Sequence, residues 1–303
     1  MLGALLKAAA AAASGGNAAV ASQTVQLLQG MAETAVHCAE QTMLTAGQAV
    51  DSAALQRRLC AELEMVVPVL VHLLALHRLP TDNQDAEAAA AGCCVLLSTA
   101  LAQGLAHTIA CVRSATLAVT VKLGQALCTA GSAGGSVLFA GCLSACGGAV
   151  LQALLHVDAT ETDVQHGVAF YLLACRAVQQ AAYRTTLCSA IVPALIVLIG
   201  RGNGKGGGST QPQVKAVSAL AGKLCLSLAK DASLAADFKV QVGRLTPDFR
   251  ATLEEGLRAA MSGGASPAGT PKSRVGSTGS SRSGATSTPR RGAKPAIALK
   301  MDF

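Results

Sequence analysis

Apolar residues recur along most of the chain at the three- and four-residue intervals typical of packed α-helices, and polar loops interrupt them about every 12–20 residues. RLPTDN, HVDATET and RGNGKGGGST are loops by composition. The pattern predicts helices over 2–13, 18–46 with a break near Gly30, 51–62, 64–77, 84–102, 105–128, 135–156, 163–181, 184–199, 211–230, 232–243 and 247–262. Helices are therefore expected throughout residues 1–262.

Two long stretches contain no charged side chain, residues 88–112 and 123–157. Their length would permit membrane-spanning helices, but they are rich in Ala, Gly, Ser, Thr and Cys, which favour lipid less than Leu or Ile does. The glycines between Gly131 and Gly148 are expected to divide the longer stretch into short helices. Helices packed on nearly all sides by other helices give the same uncharged sequence. A soluble fold is expected, with a multi-pass membrane protein as the alternative.

Pairs of helices with a common order recur along the chain. One pair begins at Val66 and another at Ile191, and each has an apolar helix with a proline, a polar loop, and a helix with small residues in its first half. Residues 149–178 have the same order without the proline. Aligning Val69, Val150 and Ala194 gives a total offset close to three periods of about 42 residues. The pattern resembles HEAT and armadillo repeats, which implies a right-handed α-solenoid of stacked helical hairpins; an irregular helical bundle is the alternative.

The helix predicted over 211–230 has one apolar and one basic face. The buried stripe is predicted to contain Val214, Val217, Leu220, Leu224 and Leu228, and the opposite face carries Lys215, Lys223 and Lys230.

The final predicted helix has the clearest start. Thr246 is expected to cap it, Pro247 suits its first turn, and Asp248 lies at the positive end of the helix dipole. Its apolar stripe is Phe249, Leu253 and Leu257, and its solvent face carries Arg250, Glu254 and Arg258. Such a helix suits the end of an array, so residues 1–262 are assigned to the solenoid. The start of the chain has no comparable cap, which favours a fragment of a longer array.

Composition supports an all-α fold. Apolar residues make up 51% of the chain and aromatic residues only 2%, with no Trp, whereas strands favour aromatic and β-branched side chains. The net charge of +7 arises mostly in residues 263–303, where seven Lys and Arg face Asp302 alone. Because residues 1–262 are nearly neutral, no nucleic-acid surface is expected.

No residue pattern predicts a catalytic or metal site. The 11 cysteines include no C-x-x-C spacing and mostly lie in apolar runs, which is typical of reduced, buried thiols. His107 and Cys111 share a predicted helix face without a second pair of ligands. GRGNGKGGGST departs from the phosphate-loop pattern at Gly206 and follows a helix. We expect a non-enzymatic protein without cofactor, metal or small-molecule substrate.

Residues 263–296 are predicted to be a disordered basic linker, because Gly, Ser, Thr, Pro and Ala with basic residues cannot bury enough apolar surface. Ser266, Thr270 and Thr288 each precede proline and are candidate phosphorylation sites. The chain then ends with Ile297, Leu299, Met301 and Phe303 at every second position, the period of a strand. These four residues form a candidate partner-binding motif, which either adds to a partner's sheet edge or folds back onto the solenoid.

The arrangement of residues 191–303, with the stretch FKVQVGRLTPDFRATLEEGLRAAM, a basic Ser/Pro/Gly linker and the terminal AIALKMDF, resembles the carboxyl end of the HEAT repeat-containing protein five family. This resemblance implies a scaffold or clathrin-adaptor accessory in vesicle trafficking, with adaptor subunits as protein partners. It also implies a cytoplasmic location with peripheral association on endosome or Golgi membranes. A nuclear transport or microtubule-associated scaffold is the alternative that the basic tail favours.

Overall fold

A computed structural model describes residues 18–77, 84–129, 133–177, 181–202 and 212–262. Within these residues the fold is all-α, as predicted from composition and periodicity, with one short 3-10 turn at Ala46–Gln48. The helices are α1 Ala18–Leu44, α2 Ser52–Glu64, α3 Val66–His77, α4 Gln84–Leu105, α5 Ala110–Thr129, α6 Ala133–Leu154, α7 Glu161–Ala177, α8 Ala181–Gly202, α9 Pro212–Lys230, α10 Ala235–Arg244 and α11 Pro247–Ser262. The helix predicted over 2–13 and the assignments made to 263–296 and 297–303 lie outside the described residues.

Some predicted glycine breaks and one predicted helix start are wrong. α1 continues through Gly30. The uncharged stretch 123–157 is shared between α5, which ends at Thr129, and α6, which begins at Ala133, but α6 continues through Gly141 and Gly148. A helical glycine costs only about 1 kcal/mol relative to alanine, which packing against neighbouring helices readily offsets. α5 begins at Ala110 and not at 105, so His107 precedes the helix. The predicted shared helix face of His107 and Cys111 is therefore wrong.

Several helices pack on a helix that lies two or three places farther along the chain. α1 packs on α4 and α4 on α6, while α2 packs on α5 and α5 on α7. Near the carboxyl end, α8 packs on α10 and α9 on α11. Successive helices, such as α8 and α9, also pack on each other, so two rows of helices share one continuous hydrophobic core.

Neighbouring helices within a row run in the same direction. Arg113 binds Asp158 and the Cys128 thiol donates to the carbonyl of Leu173 at 3.7 Å, and both pairs are 45 residues apart. In the other row, the Cys94 thiol donates to the carbonyl of Leu138, 44 residues away. In two parallel helices, each residue lengthens the helix by the same rise. Contacting residues of the two helices therefore stay the same number of positions apart in the sequence.

The predicted repeat register fits the structure only in part. Val69, Val150 and Ala194 are all buried, as a common core position requires. However, α4 and α5 lie between the first two of these residues, whereas only α7 lies between the second and third. The interval from Val69 to Val150 therefore advances by three helices, and the interval from Val150 to Ala194 advances by two. The aligned residues do not recur at the same position of successive helical pairs, so the alignment on equal periods is wrong.

α5 is enclosed by other helices on several sides. It packs against α2, α4, α6 and α7, and most of its side chains are buried. Its two buried threonine hydroxyls, those of Thr116 and Thr120, donate to carbonyl oxygens one turn earlier in the same helix. The hydroxyls are thus satisfied without a partner from another helix, which allows this helix to be enclosed on several sides.

The packing of α8, α9 and α11 depends on two glycines. A Cβ atom added to Gly222 of α9 would lie 2.9 Å from the carbonyl oxygen of Gly256 in α11, and one added to Gly256 would lie 2.7 Å from Cγ2 of Ile199. Both glycines are buried. They allow the backbones of α9 and α11 to approach more closely than any other residue would.

The predicted faces of the last helices are mostly confirmed. Lys215, Lys223 and Lys230 are exposed, and Val217 and Leu228 are buried, while Val214, Leu220 and Leu224 are half-buried. α11 begins at Pro247 and buries Leu253 and Leu257. Phe249 is an exception to its predicted stripe, because it is 39% exposed. On the solvent face Arg258 pairs with Glu254 at 3.4 Å, whereas Arg250 turns toward the carbonyl oxygens of Val242 and Gly243.

Candidate functional site

The site residues predicted from the sequence lie outside the described residues. These are the apolar motif Ile297, Leu299, Met301 and Phe303 and the phosphorylation candidates Ser266, Thr270 and Thr288. Within the described ranges, no group of three or more His, Cys, Asp or Glu side chains is placed to hold a metal ion. All eleven cysteines are free, and seven of them are buried, in agreement with the predicted buried thiols.

The most unusual polar group in the described residues is the buried side chain of Arg113. It lies in the first turn of α5 and is only 4% exposed. One guanidinium nitrogen, Nη1, donates to the carbonyl oxygens of His107 at 2.6 Å and Thr108 at 2.7 Å. The other, Nη2, contacts the Asp158 carboxylate at 2.5 Å and Nδ1 of His156 at 3.2 Å. Arg113 thereby holds together the turn before α5 and the turn before α7.

The turn formed by residues 155–160 is shaped by these contacts. Asp158 accepts hydrogen bonds from Arg113, and its Oδ1 lies 2.5 Å from Nδ1 of His156. At the end of the turn, the backbone N–H and hydroxyl of Thr160 donate to Asp163, and the N–H of Asp163 donates to the Thr160 hydroxyl. This reciprocal cap fixes the start of α7.

The pKa of Asp158 reflects two opposing influences. Partial burial raises it, but the hydrogen bonds from Arg113 and His156 and the positive charge of Arg113 outweigh burial, so the pKa falls below its ordinary value of 3.8. The ionised carboxylate is therefore the form that the folded turn favours.

Replacing Asp158 with asparagine should change how stability depends on pH. Because the folded-state pKa is lower than the unfolded one, the ionised carboxylate stabilises the fold fully above about pH 4, and this contribution is lost as pH falls through the folded-state pKa. The difference in urea midpoint between the wild type and Asp158→Asn should therefore shrink between about pH 5 and about pH 2. Urea titrations followed by far-ultraviolet circular dichroism check this, and a difference that does not change with pH would contradict it.

A cavity of about 310 Å³ lies beside this turn, between the end of α8 and the start of α9. Its walls are apolar where Leu198, Val214 and Val217 line it, and polar where His156, Arg201 and Gln213 do. We call it the α8–α9 pocket.

Two polar side chains of the α8–α9 pocket, Arg201 and Gln213, make only long hydrogen bonds to described residues. Arg201 Nη1 donates to the carbonyl oxygen of His156 at 3.4 Å, and Gln213 Nε2 donates to those of Asp158 and Ala159 at 3.4 and 3.5 Å. Arg201 is exposed and forms no ion pair with a described residue. Arg113 neutralises the charge of Asp158. The positive charge of Arg201 is therefore not compensated by a described residue, and it lies beside the apolar wall of the pocket. This combination suits an anionic group attached to an apolar side chain.

No family model, curated protein or solved structure matches the chain.

A second candidate surface is the exposed face of α4 and α6. Val95 and Val137 are 65% and 70% exposed, and Leu96 is also exposed. Cβ atoms added to Gly92 and Gly141 would meet nothing within 4 Å, so this face is smooth as well as apolar. From residue 88 to the end of α4, and along the whole of α6, no side chain is charged. We call this surface the α4–α6 face.

In the part of the chain that the structure describes, four stretches of helix are long and apolar enough to cross a membrane by length and composition alone. They are Ser52–Leu76, Asp85–Leu105, Val137–Leu154 and Tyr183–Gly202. Between 39% and 56% of the most apolar window of each stretch is buried inside the fold. A membrane span and a helix packed against other helices of the same chain share this composition.

The sequence did not identify Arg113 as a functional residue. In the sequence, a buried arginine beside an uncharged run cannot be distinguished from an arginine at a solvent-exposed helix terminus. Its partners Asp158 and His156 are 45 and 43 residues away, and only the packing of α5 on α7 brings them together. The one available signal was the sequence HVD in a loop that separates two apolar helices.

Proposed function

We propose that the described helices belong to a right-handed α-solenoid that acts as a non-enzymatic scaffold for protein partners. The observation that carries this proposal is the packing of α4 on α6 and of α5 on α7 with residue offsets of 44–45. Helical repeats of the HEAT and armadillo type have periods of about 40–47 residues. In such arrays each helical pair contacts chiefly its neighbours, and the long outer surfaces bind other proteins.

The α4–α6 face supports a partner-binding role. Exposed apolar patches on soluble proteins commonly mark surfaces that bind other molecules. Here two successive helices of one row contribute Val95, Leu96 and Val137 to the same uncharged surface. Charged side chains occur elsewhere on the fold, for example Glu64 of α2 and Lys122 of α5, which pair at 2.5 Å. The exposed apolar side chains of α4 and α6 support the α4–α6 face as the partner-binding surface.

We assign the scaffold to intracellular vesicle trafficking, with clathrin-adaptor subunits as partners and a cytoplasmic location. This assignment rests on the resemblance of residues 191–303 to the HEAT repeat-containing protein five family. The four apolar stretches are compatible with the other candidate, a multi-pass membrane protein. Against it stands Arg113, which is buried at the start of α5 and binds His107, Thr108 and Asp158 of the same chain.

The test is recovery of adaptor subunits by the tagged full chain from cytosol, detected with antibodies against those subunits. Val95→Glu combined with Val137→Glu should reduce recovery by at least about tenfold, because charges would be desolvated in an apolar interface. Both residues are mostly exposed, so the fold should tolerate the change. Lys223→Glu, on the exposed face of α9, is the matched control and should leave recovery unchanged.

Two results would overturn the proposal. One is that adaptor subunits are not recovered with the wild type, or are recovered equally with the Val95→Glu, Val137→Glu variant. The other is retention of the chain in the membrane pellet after alkaline carbonate extraction, which would favour the membrane protein.

A further inference from the structure

We propose that the α8–α9 pocket binds the chain's own terminal segment, residues 297–303, and that this contact occupies the pocket until the segment is displaced. The pocket and the segment are complementary in both charge and polarity. The pocket offers the guanidinium of Arg201 at its rim and an apolar wall of Leu198 and Val217. The segment has one carboxylate side chain, Asp302, between the apolar residues Met301 and Phe303.

The charges in and around the pocket favour an anionic ligand. Asp158 is the acidic residue that lines it, and its carboxylate is already engaged by Arg113 and His156. Arg201, by contrast, has a single long hydrogen bond to a carbonyl oxygen and no carboxylate partner among the described residues. Asp302 is the only acidic residue in 263–303, so within the tail only the terminal segment can satisfy this guanidinium.

The size and shape of the pocket fit a short extended peptide. In an extended chain, alternate side chains point to opposite sides, so Met301 and Phe303 lie on one side and Asp302 on the other. A cavity of about 310 Å³ is at the lower limit for a ligand pocket and suits one or two side chains. Phe303 would enter between Leu198 and Val217, with Asp302 directed to Arg201.

The length of the linker is compatible with binding within one molecule. A Cβ atom on Gly200, the neighbour of Arg201, would lie 3.6 Å from Cγ2 of Thr252, so α11 passes close to the pocket. Ser262, the end of α11, lies about 15 Å farther along the helix axis at a rise of about 1.5 Å per residue. Residues 263–296 would span about 32 Å as a root-mean-square distance if they behave as a Gly/Ser-rich coil. The segment therefore reaches the pocket without extension of the linker.

The experiment measures binding of a fluorescein-labelled peptide of residues 294–303 to full-length chains by fluorescence polarisation. The main receptor carries Leu299→Asp and Phe303→Asp, which disable its own terminal segment. We expect saturable binding to this receptor. Binding to the wild type should be at least about tenfold weaker, because a tethered segment competes at an effective concentration of about 1 mM.

Matched variants then assign the binding to the pocket. Adding Arg201→Glu to the disabled receptor should weaken peptide binding at least about tenfold, since it replaces attraction to Asp302 with repulsion. Arg58→Glu, at an exposed cation of α2, should have no effect. A labelled peptide that carries Asp302→Asn should bind the disabled receptor more weakly than the unchanged peptide does. Adding Arg201→Glu to the receptor should not weaken the binding of this altered peptide further.

Three outcomes would overturn the proposal. The first is equal binding of the peptide to the disabled receptor and to the wild type, and the second is binding that Arg201→Glu leaves unchanged. The third is a wild-type chain whose sedimentation shows concentration-dependent dimers that Phe303→Asp abolishes, which would mean that the segment binds a second copy. The Val95→Glu, Val137→Glu variant should bind the peptide normally, so failure of adaptor binding and failure of tail binding can be distinguished.

Discussion

Replacing Arg113 with methionine is expected to lower the free energy of unfolding by about 3 kcal/mol. Methionine fills much of the same volume but donates no hydrogen bond. The carbonyl oxygens of His107 and Thr108 would lose their donor, and Asp158 would lose its ion-pair partner. Asp158 is 43% exposed, so water recovers part of its loss, and we therefore expect the lower end of the range for a broken buried pair. Urea denaturation followed by circular dichroism measures the change.

Arg58→Met is the matched control for this prediction. Arg58 makes an ion pair with Glu62 at 2.8 Å, but its side chain is 68% exposed. An exposed pair one helical turn apart contributes little to stability because water and salt screen it, so this variant should remain close to the wild type. Equal effects of the two substitutions would show that Arg113 does not hold the two turns together. Arg113→Lys should be intermediate, because an ammonium group cannot reproduce the planar fork of donors.

Gly222→Ala is expected to destabilise the fold by about 1–3 kcal/mol. The new Cβ atom would lie 2.9 Å from the carbonyl oxygen of Gly256, and this oxygen belongs to the backbone of α11. No side-chain rotation can relieve the overlap, so α9 and α11 must move apart. The same denaturation experiment measures the loss.

Gly92→Ala is the matched control and should have the opposite sign. Its Cβ atom would meet nothing within 4 Å, and alanine is favoured over glycine inside a helix by about 0.5–1 kcal/mol. The variant should therefore gain stability by up to this amount. Destabilisation by both substitutions would mean that glycine content itself, and not the close approach of α9 and α11, determines the result.

The helices were predictable from the sequence because their boundaries depend on local composition. Pro247 begins α11 as predicted, and residues 155–160 separate α6 from α7 close to the expected loop HVDATET. The predicted breaks at Gly30, Gly141 and Gly148 failed because an intrinsic preference of about 1 kcal/mol per glycine is smaller than the gain from packing a long helix. The local sequence determines the intrinsic helix preference of each residue, but it does not show which helices pack together.

The candidate site was not predictable in the same way. The α8–α9 pocket draws Asp158, Leu198 and Gln213 from three separate segments, and its charge depends on Arg113, which does not line it. Nothing in the local pattern around any of these residues indicates that they meet. The sequence alignment used a period of about 42 residues, whereas hydrogen bonds between α4 and α6 and between α5 and α7 join residues 44 and 45 positions apart. The phase of the alignment was wrong because α3 interrupts the simple alternation of helical pairs.

The offsets between paired helices also determine when each segment can fold during synthesis. Among the described residues, the hydrogen bonds that join different helices connect residues between 7 and 58 positions apart, from Arg250 with Gly243 to Lys122 with Glu64. At about 5–20 residues per second, a ribosome delivers the farther partner within about 3–12 seconds. The apolar surface of each helix is therefore exposed only briefly before the helix that covers it has been synthesised. A chain with so few charges in its middle would otherwise expose long apolar stretches to aggregation or to membrane-insertion machinery while it is still being made.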